Sequence, residues 1–183
     1  MRMIGSFLRH LEQSPEGLLH ASGDTLALFG PAANNPPSTN PAGITFRNGH
    51  MLLTFNDTTQ EIAIFEGVMP RNYGGGGITV TNGWMAASAV TGTGGWDATF
   101  ERDANAGDDM DTDSFATAQT ITAATVPGTS GVLKTTSVAI TAGAAGTDSI
   151  AAGDGFRLRI RRDVANDTAI GDLQLMWVEV KET

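Results

Sequence analysis

The sequence contains no cysteine, which excludes disulfide staples, thiolate metal sites and a cysteine nucleophile. Stability must come from packing or assembly. Histidine is scarce: His10, His20 and His50 are too dispersed to write a triad or a metal cluster locally. Basic charge is short as well. Eleven Lys and Arg stand against twenty Asp and Glu, a formal net charge of −9, so phosphate backbones and anionic bilayers would repel the chain, and neither nucleic acid nor membrane is expected as a partner. No apolar run approaches the roughly 18 residues of a membrane helix. The opening segment MRMIGSFLRHLEQ interrupts its apolar residues with Arg9, His10, Glu12 and Gln13 before a secretory core could form, so export by that route is not expected. The glycines after Tyr73 lack the lysine and hydroxyl residue of a phosphate loop, and neither G-x-S-x-G nor H-E-x-x-H occurs. The expectation is a non-enzyme with no cofactor.

The 183 residues, 40% of them hydrophobic, suit one compact domain with an extension. Helical spacing is confined to Ile4–Leu19, where Gly5, Pro15 and Gly17 interrupt it. The stretch PAANNPPSTNPAG at 31–43 reads as an extended linker. Residues 1–43 are therefore expected to form an N-terminal arm whose apolar residues, Met3, Ile4, Phe7, Leu8 and Leu11 and then Leu26, Leu28 and Phe29, order on a neighbour. Residues 44–183 form the body.

From Ile44 onward the period is two. Runs at 51–55, 61–68, 77–90, 96–102, 117–126, 133–141, 156–162 and 173–180 are filled by Thr, Val, Ile and aromatics and separated by Gly, Asn, Asp and Pro. That pattern predicts an all-β protein, an antiparallel β-sandwich of jelly-roll type.

Within it, GDGFRLRIRRD at 153–163 alternates Phe156, Leu158 and Ile160 with Arg157, Arg159 and Arg161. The first set is expected in the core and the second on an outer face. There Asp97 and Glu101, which alternate with Trp96, Ala98 and Phe100, could pair with the arginines; the competing reading is an anion or sugar-acid site. The last run, LQLMWVEV, is apolar on both parities: Leu173, Leu175 and Trp177 on one, Met176, Val178 and Val180 on the other. Its second face needs cover from the arm or another subunit, so a homo-oligomer is expected.

The acidic loop places Asp109, Asp111 and Asp113 at alternate positions, as calcium loops do, but Ser114 and Thr120 stand where an EF-hand needs Gly and Glu. A solvated loop of Asx turns is the plainer reading. Trp84, Trp96 and Trp177 are expected in the core by strand parity. Tyr73, among glycines, is the aromatic expected to be exposed, and with these aspartates it makes a candidate ligand loop.

The segment from about 60 to 183 resembles small β-sandwich proteins encoded in the structural gene modules of tailed bacteriophages. The resemblance rests on Pro70 and Tyr73, on Trp84, on Trp96, Phe100 and Arg102, on Asp111 and Phe115 in looser spacing, and on Gly153, Asp154, Arg162, Asp163 and Asp172. It implies a virion component of the head surface, made in the host cytoplasm: a trimeric decoration or cement protein that packs on the major capsid protein. It brings no catalytic residues. The rival reading is a receptor- or glycan-binding module displayed on the virion.

Overall fold

All eight alternating runs form strands, and among the described residues two further strands precede them. The computed structural model describes residues 22–104 and 108–183. In chain order the strands are β1 (Thr25–Phe29), β2 (Gly43–Arg47), β3 (His50–Phe55), β4 (Ile62–Val68), β5 (Ile78–Ala86), β6 (Thr93–Asp103), β7 (Gln119–Thr125), β8 (Lys134–Ile140), β9 (Gly155–Arg162) and β10 (Leu173–Glu182). One sheet runs β2-β3-β10-β5-β8 with β1 also on β10; the second runs β4-β9-β6-β7. Every strand pair is antiparallel, and β6 with β7, β5 with β8, β4 with β9 and β3 with β10 nest as one long hairpin folded over itself. That nesting is the jelly roll. Among the described residues no helix is long and apolar enough to cross a membrane.

The inward parity builds the core between the sheets. Phe156, Leu158 and Ile160 are buried with Trp96 and Phe100, as the alternation predicts. Phe55 stands edge-on to Trp96 at 5.0 Å, and Phe100 to Phe156 at 5.7 Å, the offset geometry that aromatic quadrupoles favour.

Three expectations need correction. Residues 25–43 belong to the body. Strand β1 pairs with β10, Leu26 and Phe29 are buried in the chain's own core, and the Phe29 ring stacks on Phe65 at 5.3 Å. The proline-rich stretch lies along β4, with Asn34 bridging to Phe65 and Pro41 to Ile62; residues poor in donors blunt a sheet edge that would otherwise recruit other strands. Met3, Ile4, Phe7, Leu8 and Leu11 lie outside the described residues.

The second correction concerns β10. Its register on β5 shifts between Leu175 and Trp177. A bulge of this kind inserts one residue, here Met176, and reverses the side-chain parity beyond it. Leu173 and Leu175 point inward before the bulge, and Val178 and Val180 point inward after it, all four fully or almost fully buried. Val178 and Val180 therefore need no cover from another subunit. The third correction is the corollary: Trp177 leaves the core and lies on the outer face, half-buried.

Candidate functional site

The outer face of the second sheet carries the arginine row. Register places Arg157 opposite Glu101 and Glu66, Arg159 opposite Thr99 and Ile64, and Arg161 opposite Asp97 and Ile62. Arg161 forms a two-pronged pair with Asp97 at 2.8 and 3.0 Å, and Arg157 Nη1 donates to both Glu101 oxygens at 3.1 and 2.9 Å. These are charge-assisted bonds to buried carboxylates. Phe115 folds over the row, its ring centre 5.0 Å from the Arg157 guanidinium carbon and 4.3 Å from that of Arg159. The charges at the two ends of the row, Arg157 and Arg161, are spent on β6.

Arg159 is the exception. Among the described residues its one side-chain hydrogen bond is a long contact to Thr99 Oγ1 at 3.4 Å, and its Nε, like that of Arg157, is buried without a hydrogen-bond partner there. Burial lowers its guanidinium from the ordinary value; Arg161 adds to this, while Asp97 and Glu101 oppose it. A neighbouring arginine faces inward instead. Fully buried Arg162 holds Asp167 at 2.8 and 2.9 Å and donates to the carbonyls of Phe55, Ala169 and Gly171.

Of the loop aspartates, Asp109 and Asp111 are exposed and form an Asx-type turn, with the Asp111 amide on Asp109 Oδ1 at 3.1 Å. Asp113 instead joins Glu101 and Asp103, each bringing one oxygen within 4.8 Å of the others. This is the oxygen-donor set among the described residues that a hard divalent cation would suit. Asp103 Oδ1 and Asp113 Oδ2 are buried without partners among the described residues. Burial pushes the Glu101 and Asp103 carboxyls up; Arg157 pulls both back, and Asp113 adds to the rise.

The outer face of the first sheet is built differently. Trp177 pairs with Gly83 and lies across it: a Cβ at Gly83 would stand 2.2 to 2.6 Å from three indole atoms. Only glycine admits that approach. Leu28, 68% exposed, and Glu179 line the hollow beside the ring. Register puts Thr81, Ser137 and Thr135 on the same face, with Thr25, Thr79 and Lys181 one row further along. Glu179 accepts from Thr25 Oγ1 at 2.7 Å and meets Lys181 at 3.2 Å. The result is a flat indole among hydroxyls with little net charge.

Tyr73 is not exposed. It retains 4% of its surface, and its hydroxyl donates to the Gly76 carbonyl of its own loop. Burial, with Glu182 nearby, raises its phenol. Alternation alone misses the Trp177 face, although a ten-residue strand apolar on both parities opposite Asn82-Gly83 hints at a bulge over a glycine.

Neither a protein-family model nor a curated protein sequence matches the chain. Among solved structures it is similar to a module from Clostridium stercorarium in complex with cellobiose, at 11% identity over 89% of this chain and 98% of that one, with a TM-score of 0.48. It is similar also to a xylan-binding domain from Paenibacillus barcinonensis, at 14% identity over 82% and 92%, TM-score 0.46. A third is a carbohydrate-binding module of a Cellvibrio mixtus lichenase in complex with cellotriose, at 13% identity over 87% and 99%, TM-score 0.36. At these identities and TM-scores the likeness fixes no ligand.

Proposed function

We propose that the chain is a non-catalytic glycan-binding module whose contact surface is the outer face of the first sheet around Trp177. The observation that carries this reading is the indole laid across Gly83, half-buried and flanked by Leu28 and Glu179. A sugar ring offers one face of C–H groups and a rim of hydroxyls. The indole face meets the first, and Thr81, Thr135, Ser137 and Glu179 exchange hydrogen bonds with the second. With Glu179 already engaged by Lys181 and Thr25, the surface suits a neutral oligosaccharide.

Trp84 and Trp96 are fully buried, so Trp177 reports on its own site. Neutral oligosaccharides that bind should blue-shift the tryptophan emission and protect it from acrylamide, and Trp177→Ala should weaken binding about tenfold or more. Undiminished binding by that variant, or no binding across a broad panel, would remove the reading.

A second reading follows the phage resemblance: a head-decoration protein, trimeric and seated on the major capsid protein. It is favoured by Ile44 and Phe46, 63% and 65% exposed on edge strand β2, the kind of surface that other chains cover. Phe46→Lys should then release the protein from particles while leaving the sandwich folded. A single-chain mass both in solution and on the particle would sink the trimer.

A further inference from the structure

The hairpin between β2 and β3 turns on Asn48, φ 46°, and Gly49, φ 80°, the left-handed pair of a two-residue type I′ turn. That turn sets Arg47 directly opposite His50. Their pairing shares the parity of Thr45 with Leu52, so both stand on the outer face of the first sheet. Beside them opens a cavity of about 370 Å³, in the size range of small-ligand sites. Leu52 and Met85, both buried, form its floor with Met176, which the β10 bulge leaves on this face; Leu133 forms a wall. Two thioethers give the floor room to adapt.

The rim is held open by a backbone device. Gly131 has φ 78°, and a Cβ there would stand 1.8 Å from Arg47 Nη1. The bare glycine lets the guanidinium reach the Ala87 carbonyl at 2.6 Å. That tether fixes the fork and occupies one of its five N–H donors. Arg47 has no carboxylate partner among the described residues, and no acidic residue lines the cavity. In a chain with twenty acids and eleven bases, an apolar hollow whose only ionisable lining residues are an arginine and a histidine is selective in charge.

We infer that this cavity binds a small amphiphilic oxyanion, with an apolar ring or short chain over Leu52, Met85 and Met176 and a carboxylate or phosphate at Arg47 and His50. An oxyanion matches the planar donors left on Arg47, and the floor receives the body that a simple inorganic anion lacks. The site shares no lining residue with the hollow beside Trp177 and does not depend on the glycan reading.

Calorimetric titration of the full chain with octanoate, octyl phosphate, octyltrimethylammonium and acetate tests the inference, with the methionine methyl resonances followed in parallel. Octanoate, octyl phosphate or both should bind one to one and shift the Met85 and Met176 methyls, and their relative affinity identifies the head group. Acetate and the cationic amphiphile should bind about tenfold more weakly or worse. Leu133→Glu, at an exposed wall position, should abolish anion binding without moving the melting temperature; should it fail to fold, His50→Glu carries the same test at the hairpin tip. The inference is overturned if the cation binds as tightly as octanoate, if the methyls stay put, or if a folded Glu variant keeps its affinity.

Discussion

The two outer faces of this sandwich solve the same problem in opposite ways. On the second sheet, Arg157, Arg159 and Arg161 stand beside Asp97, Glu101 and Glu66 beneath Phe115; the density of charge looks like a site, yet most of it is consumed pairwise. On the first sheet the Trp177 face has little net charge, its single indole is half-exposed, and among the described residues its hydroxyls are claimed by no carboxylate other than Glu179. Conspicuous residues are therefore a poor guide to where bonding capacity is left over. What matters is whether their bonding capacity is already used.

The two faces of β9 differ most at the inward-facing arginine. Arg162→Met leaves Asp167 with only the Gly95 and Ala169 amides and takes the donor from three backbone carbonyls, and it should cost roughly 3–5 kcal/mol, well beyond the effect of Arg161→Met on the outer face. Equal melting shifts would erase the distinction between the fully buried Arg162 pair and the part-exposed Arg161 pair on β9. Next come the tryptophans. Trp96→Ala should cost roughly 3–5 kcal/mol as a core truncation, whereas Trp177→Ala, on the outer face, should cost no more than about 1–2 kcal/mol for its half-lost burial; chemical denaturation of both variants measures the gap. Phe115→Ala removes two cation–π contacts and should cost about 1–2 kcal/mol, seen first as faster amide exchange in residues 108–118.

The smallest effect is in pH. Glu101 and Asp103 have carboxyls raised above the ordinary 4.5 and 3.8, so the folded state holds their protons more tightly than the unfolded state does. The stability this contributes is complete below those ordinary values and is lost as pH rises through the raised ones. Asp103→Asn should therefore raise the melting temperature at neutral pH, and the gain should vanish as pH falls through the carboxylate range. A lower melting temperature at neutral pH would mean that the charge of Asp103 serves Arg157 more than it burdens the corner.

Alternation made most of the fold legible. Each of the eight runs from 51 onward is a strand, and the split of β9 into Phe156, Leu158, Ile160 and the arginines is as expected. What alternation could not supply were the places where one residue changes the rule. The bulge at Met176 flips everything after it, which sends Val178 inward and Trp177 outward. Segment 25–29, no shorter than the run at 51–55, does not keep a strict alternation, since Leu26 and Phe29 are buried while Leu28 is exposed, and only the free edge of β10 gives it a partner. Tyr73 sits in a loop that looks open in composition, yet its hydroxyl closes that loop on itself. Arg162 shares its parity with the greasy triplet, a hint that it lies inside, but the carbonyls that receive it come from 55, 169 and 171 and are invisible to any local window.

Strand β10 joins two halves of the first sheet that have no other strand between them: β3 and β1 along one edge, β5 along the other. It is also the tenth strand in chain order. During vectorial synthesis, then, the central member of that sheet emerges after every strand it must join, and the earlier strands wait with unpaired edges exposed. Such dependence on distant partners slows folding and leaves a nascent chain open to capture by others. It also makes the sandwich a natural split system. A chain ending near residue 172 should remain incompetent until a separate peptide spanning 173–183 is supplied, and the seam between them would report whether the domain has assembled.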